Sequence, residues 1–235
     1  MKLKQIISSL FFPERCSICG NIKPFLKPYC PDCSIDTKAI PNEVCKRCGH
    51  EKCICHKNIS AVLPHFSAVY YYQGQLKRSI HQYKFYGESS YADIFGKAMA
   101  DKIKSDYPDV DFDGVCFVPM TDSAIRKRGY NQSELLARVV ADKLKLPVIP
   151  CLKKTKEAPN QKTLTSKERV KNIKESFATA EDADIKDKTL ILCDDIKTTG
   201  ATMKECCDTL LKSGAKDIYC LCLALTPYLN ETDIF

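Results

Sequence analysis

The sequence predicts an α/β protein: an open, mainly parallel sheet flanked by helices, preceded by a small cysteine-rich module. Three observations carry that prediction. Short continuous apolar runs, Gly114 to Pro119 and Thr189 to Cys193, have the pattern of strands buried on both faces. Segments with helical apolar spacing alternate with them, as the crossover helices of a parallel sheet must. Eight of the fifteen cysteines crowd between Cys16 and Cys55.

Composition narrows the alternatives. With 235 residues, 44% hydrophobic and 28% charged, the chain has globular usage, which argues against disorder, collagen-like repetition and a coiled coil. The net charge of +7 is uneven: residues 1–60 carry ten basic against five acidic side chains, and the remainder is nearly neutral. Such a split marks two modules, residues 1–60 and residues 61–235. An odd cysteine total, with seven scattered through apolar segments, argues against a disulfide framework and for a reducing compartment. The stretch Ile6 to Phe12 is too short and too interrupted by Ser8 and Ser9 for a secretory signal. It reads instead as a short amphipathic helix with Leu3, Ile6, Ile7 and Leu10 on one face. No run approaches the ~20 apolar residues of a membrane span, so the expectation is a cytoplasmic protein without stable membrane insertion.

The first four cysteines read Cys16-x2-Cys19, ten residues, then Cys30-x2-Cys33. Each pair-bearing turn lets two sulfurs reach one metal, and the intervening loop folds back to complete a tetrahedron, the spacing of a four-thiolate zinc ribbon. A second set, Cys45-x2-Cys48 followed by Cys53-x-Cys55, repeats the opening turn but closes one residue short. Its fourth ligand is Cys55, His50 or His56, with four thiolates the simplest choice. Both sites read as structural, because zinc with four protein ligands has no open position for substrate. A segment of about 40 residues has too little core to fold alone, so metal must supply much of its folding free energy.

The larger module is expected to run strand (Ala61 to Tyr72), helices (Gln75 to Tyr83 and Tyr91 to Lys104), strand (Gly114 to Pro119), then a basic loop. Asn131, with Glu134 three residues on, looks like a capping box that opens a helix carrying Leu135, Leu136, Val139, Val140 and Leu144. Thr189 to Cys193 is the next strand, Met203 to Leu211 a helix ended by Gly214, and Asp217 to Leu225 the last strand. Lys153 to Ser176 holds eight basic and three acidic residues with no apolar period, which suggests a lid, a binding loop or a strand-containing flap. The aromatics Tyr70 to Tyr72 are expected in the core.

The sharpest feature is the run from Leu190 to Thr202, LILCDDIKTTGAT. An apolar strand delivers Asp194 and Asp195 to the sheet edge, and a turn rich in threonine and glycine then opens a helix. First-turn backbone N–H groups, the hydroxyls of Thr198, Thr199 and Thr202, and the bare Gly200 make a cradle for one phosphate. Carboxylates repel phosphate but accept hydrogen bonds from sugar hydroxyls, so the constellation reads as a sugar-phosphate site. A Walker loop would need a different glycine and lysine spacing. Lys197 is expected to add a positive charge beside the acidic pair.

Asp194 to Thr202 resembles the phosphoribosyl pyrophosphate signature of the type I phosphoribosyltransferases. Over nearly its whole length the chain resembles the ComF family, which pairs an N-terminal double zinc ribbon with such a domain. Val118-Pro119-Met120, the run Arg126 to Gln132, Leu135 to Ala137, Asn160-Gln161, Leu164, Glu168-Arg169, Asn172 and Phe177 support the likeness. The resemblance implies a type I phosphoribosyltransferase fold in which Asp194 and Asp195 form the catalytic pair and hold the ribose 2′- and 3′-hydroxyls. Thr198, Thr199, Gly200, Ala201 and Thr202 would take the 5′-phosphate. Arg126 and Arg128 would meet pyrophosphate, with Lys84 and Arg169 as weaker candidates, and Mg²⁺ would accompany the ligand. It also implies a place in natural transformation beside DNA-uptake proteins, handling imported single-stranded DNA. Two readings follow: a binding protein for phosphoribosyl pyrophosphate or phosphoribose, and an active transferase with an unidentified acceptor.

Overall fold

The computed structural model describes residues 16, 18–19, 21–24, 29–53, 55–56, 62–85, 90–155 and 176–227. The amphipathic helix expected near the N-terminus, and Asn160 to Asn172 of the basic segment, lie outside them. In chain order the elements are α1 (Pro31–Asp36), β1 (His65–Tyr71), α2 (Gly74–Phe85), α3 (Ser90–Asp106), β2 (Gly114–Phe117), α4 (Asp122–Arg128) and α5 (Gln132–Leu144). They continue with β3 (Leu152–Lys154), β4 (Phe177–Thr179), β5 (Thr189–Lys197), α6 (Ala201–Lys212) and β6 (Asp217–Leu225). Four strands form one parallel sheet in the order β1-β6-β5-β2. Short strands β3 and β4 form a separate antiparallel pair.

Because the four strands are parallel, their carboxyl ends share one edge, and β2 and β5 are neighbours there. The faces are covered as their apolar runs require. On one face, Phe95, Met99 and Ile103 of α3 and Leu136 and Val140 of α5 pack on Val115, Ile191 and Leu221. On the other, Met203, Cys206, Cys207 and Leu210 of α6 pack on Leu190, Leu192 and Cys220. The cysteine-rich module completes both layers. Cys16, Ile18, Cys30 and Cys33 join the first cluster, and Ile40 joins the second beside Leu63 and Phe66. The same module covers an edge that would otherwise present unpaired backbone: Ile40 N–H donates to the Val69 carbonyl at 2.8 Å, and Tyr71 N–H to that of Lys38 at 2.9 Å.

Local chemistry explains where the expected elements shift. The segment read as a basic loop contains helix α4. Thr121 caps it by accepting from Ala124 N–H, and Gly129 ends it in the left-handed region at φ 90°. Because α4 has no buried residue, it leaves no apolar period in the sequence. Asn131 does cap α5, accepting from Ser133 N–H at 3.0 Å. Glu134 instead turns outward to Arg138 at 2.7 Å, so the expected capping box is replaced by a single cap. Strand β5 extends four residues past Cys193, to Lys197. Tyr70 and Tyr71 are buried in the core, as expected, while Tyr72 is half-buried.

One ion-pair cluster locks the second cysteine loop to α3. The Asp106 carboxylate, 1% exposed, takes Lys46 Nζ at 2.7 Å and Lys102 Nζ at 3.3 Å, and Ser67 Oγ donates to it at 2.5 Å. Lys102 also donates to the carbonyls of Ile40 and Pro41 and to Asn42 Oδ1. Burial pushes the Lys102 ammonium downward, and Asp106 opposes that. Asp106→Ala leaves Lys102 enclosed without its counter-charge, and is expected to cost about 3 kcal/mol in urea unfolding. A loss below about 0.5 kcal/mol would show that the cluster does not hold the two parts together.

Candidate functional site

The acidic pair sits inside the second half of β5, its backbone still paired with β6 at Asp194↔Cys222. Asn131 sets the geometry around it: its Nδ2 donates to the Val118 carbonyl at 3.1 Å, tying the N-terminus of α5 to the end of β2. That places Ser133, whose hydroxyl donates to Asp194 Oδ1 at 2.8 Å. Asp195 N–H donates to the same oxygen at 2.9 Å. Burial and the neighbouring Asp195 charge push the Asp194 carboxyl up to about 7, against the pull of Ser133, the Asp195 N–H and Lys84. Asp195 is held differently, in an ion pair with Lys84 Nζ at 2.7 Å.

The cradle follows directly. Gly200 caps α6 in the left-handed region at φ 84°, a conformation that favours glycine. Thr199 Oγ accepts from Ala201 N–H at 3.4 Å, and Thr198 is exposed beside it. The first turn of α6, including Thr202, presents N–H groups that have no intrahelical acceptor. A phosphate bound there lies within a few residues of two carboxylates on the same chain segment.

The basic residues separate into groups. Lys84 ends α2, and that end is fixed to α5: Tyr83 OH donates to the Gln132 carbonyl at 2.8 Å, and Tyr130 OH donates to the Tyr83 carbonyl. Buried Gln132 accepts from Arg128 Nη1 at 2.6 Å, which holds that guanidinium beside the α2–α5 junction. Arg126 is exposed on the same short helix. Arg169 lies outside the described residues. Lys197 departs from expectation. Its side chain is buried, donates to the Cys48 carbonyl at 3.3 Å and lies 5.0 Å from the centroid of the Phe66 ring, so its charge serves the cysteine module rather than the acidic pair.

Ser133, Gln132 and Lys154 emerge only from the structure as neighbours of the acidic pair or its cations. Lys154 on β3 is half-buried and feels the charge of Asp194. The cap asparagine was the one available signal for Ser133, since it fixes which residues face β5. Nothing in a short polar hairpin strand singles out Lys154.

All eight N-terminal cysteines come together as two groups, Cys16, Cys19, Cys30, Cys33 and Cys45, Cys48, Cys53, Cys55. The ligand atoms of each lie within 4.8 Å of one another. The Cys19–Cys30 and Cys45–Cys55 sulfur separations, 3.5 and 3.8 Å, match the roughly 3.8 Å edge of a tetrahedron with metal–sulfur bonds of about 2.3 Å. The fourth member of the second group is thus Cys55 rather than a histidine. Burial raises the Cys16 thiol, but N–H groups around it outweigh burial and bring it down to about 7. The Cys33 thiol is driven up by burial and by its three sulfur neighbours. Four such thiols ionise together only around a cation, and the donor set fits zinc.

Residues 130–232 match the phosphoribosyl transferase domain family. Competence protein ComFC of Bacillus subtilis (strain 168) is 27% identical over 203 residues, 80% of this chain and 81% of that protein. DNA utilization protein YhgH of Escherichia coli (strain K12) is 24% identical over 218 residues, covering 89% of this chain and 90% of that one. Competence protein F of Haemophilus influenzae is 26% identical over 221 residues, covering 88% and 95%. Among the described residues no helix is long and apolar enough to cross a membrane.

Two outcomes follow from this geometry. Metal analysis of the purified chain should return about two zinc ions, and a strong chelator should make the cysteine module the first part cleaved in limited proteolysis; zinc-free protein would refute the assignment. The raised Asp194 carboxyl makes the folded state hold a proton that the unfolded chain, titrating near 3.8, gives up. Its contribution to stability is complete below pH 4 and is lost as pH rises through about 7. Asp194→Asn should therefore gain stability relative to the unmodified chain between pH 5 and 8 in chemical denaturation, and a pH-independent difference would contradict the shift.

Proposed function

Starting from a chain that is a homologue of the ComF-type competence and DNA utilization proteins, with a phosphoribosyltransferase domain, we propose that it binds phosphoribosyl pyrophosphate or phosphoribose and acts in DNA uptake. One observation carries the reading: a strand bears two carboxylates near its carboxyl end and leads, through Thr198 and Thr199, into a glycine-capped helix N-terminus. The 5′-phosphate sits in the cradle of Thr198 to Thr202, and the ribose hydroxyls donate to Asp194 and Asp195. Ser133 fixes the first of these carboxylates. Lys84 pairs with Asp195 at 2.7 Å, the position a ribose hydroxyl would take as donor. When the sugar replaces it, the ammonium is left facing the charge carried at C1, with Arg128 and Lys154 nearby and Arg126 at the periphery. Mg²⁺ bound with the pyrophosphate would offset the remaining charge.

The relatives are named as competence and DNA utilization proteins, which supports a role with DNA. In this reading the ligand is the phosphoribose of a nucleotide or of imported single-stranded DNA, and the basic segment from Lys153 to Ser176 supplies backbone contacts. The two cysteine groups are structural zinc sites. Mg²⁺-dependent transfer of the phosphoribosyl group to an added amine or base is the alternative, decided by pyrophosphate release.

Calorimetric titration tests the proposal with phosphoribosyl pyrophosphate, ribose 5-phosphate and single-stranded oligonucleotides at several salt concentrations. Asp195→Ala should abolish binding of the two small ligands. Lys84→Met should weaken phosphoribosyl pyrophosphate by about 10-fold or more, the worth of one charge-assisted hydrogen bond, and ribose 5-phosphate much less. Oligonucleotide affinity that falls steeply with salt and survives Asp195→Ala would move DNA contact to the basic surface. No binding of either small ligand would refute the phosphoribose site.

A further inference from the structure

Lys197 joins two sites that the sequence keeps about 150 residues apart. Its backbone is the last rung of β5, paired with Leu225, and its carbonyl accepts from Thr226 N–H at 2.9 Å. The next residue, Thr198, opens the phosphate cradle. Its side chain runs the other way, into the cysteine-rich module, and the residue is 4% exposed. There the ammonium donates to the carbonyl of Cys48, a member of the second cysteine group, and lies over the Phe66 ring.

Two further facts make this contact unusual. Among the described residues no carboxylate lies within ion-pair distance of Lys197, although a buried ammonium without a counter-charge is costly. Its polar partner is instead the carbonyl of Cys48, one of four cysteines whose sulfurs converge within 4.8 Å of one another. Four thiolates around a bound divalent metal would carry a net negative charge beside this ammonium. The second fact is closeness. Gly49, at φ +83°, lies so near Phe66 that a Cβ would come within 2.5 Å of its ring, so the backbone after Cys48 is pressed against the surface that receives Lys197.

We propose that Lys197 is a positioning residue that couples the second cysteine group to the phosphate cradle, so that metal retention and phosphoribose binding support each other. The inference rests on the phosphoribose reading of the cradle. Holding the ammonium in place anchors the residue from which the cradle starts, and ordering the cradle in turn holds the loop around Cys48. Thermodynamic linkage requires the effect to be reciprocal.

The test is zinc release from the full chain into a chromophoric chelator, with and without saturating ribose 5-phosphate. Release is expected in two phases. Ribose 5-phosphate should slow one of them about 5-fold or more, a comparison that needs no variant. Lys197→Met should speed that same phase about 10-fold, leave the other unchanged and remove the ligand effect. Lys197→Arg, which keeps the charge, should restore the ligand effect. Equal release from Lys197→Met and the unmodified chain, or a ligand effect that survives in Lys197→Met, would overturn the coupling. If ribose 5-phosphate does not bind the unmodified chain, the phosphoribose reading fails and the coupling with it; the ligand-free release rates then still decide whether Lys197 holds the cysteine group.

Discussion

The pairing of β5 with β6 is the constraint on which the rest of the molecule depends. Eight residue pairs hold the two strands in register from Thr189↔Asp217 to Lys197↔Leu225. The first half of β5 is apolar and buried between helical layers, as a central parallel strand must be. Its second half is not: Asp194, Asp195 and Lys197 are three ionisable residues in a strand that stays paired to its end. Each needs a partner, and each finds one on a different element. Ser133 of α5 serves Asp194, Lys84 of α2 serves Asp195, and the Cys48 carbonyl serves Lys197. The elements around the site are arranged where those needs place them.

The cysteine-rich module belongs to this scheme more closely than its composition suggests. Lys38 to Ile40 pair with the outer edge of β1, and Ile40 packs in the same apolar cluster as the residues beneath α6. Asp106 binds Lys46 and Lys102 together under cover of Ser67. The first cysteine group is therefore packed in the apolar core, and the loop of the second is tied to α3 by charge. The other seven cysteines have a plainer role. All are buried, acting as small apolar residues in a tightly filled interior.

How much could be read in advance depended on whether a residue's role is local. The strand Asp217 to Leu225 matches its expected bounds, because a long apolar run between polar turns admits few alternatives. The paired cysteine turns were equally plain, since their spacing is itself the geometry of the site. Helix α4 was hidden because it buries nothing, and an exposed helix has no period to betray it. Ser133 was hidden because its importance lies in facing a strand that arrives some sixty residues later. Lys197 was misplaced for a related reason: nearness to Asp195 in sequence says nothing about which distant segment will receive a long side chain, here Cys48 and Phe66.

The sequence by itself determined the α/β layering, the eight candidate metal ligands and the acidic strand end that leads into a glycine-capped helix, because each is written in contiguous residues or fixed spacings. Only the tertiary structure decided which cations serve the acidic pair, which residue completes the second cysteine group, and where Lys197 places its charge. Those outcomes depend on which distant segments share a face of the sheet and how closely their backbones approach. Burial then enforces the pairing, since a charge enclosed without a partner would destabilise the fold.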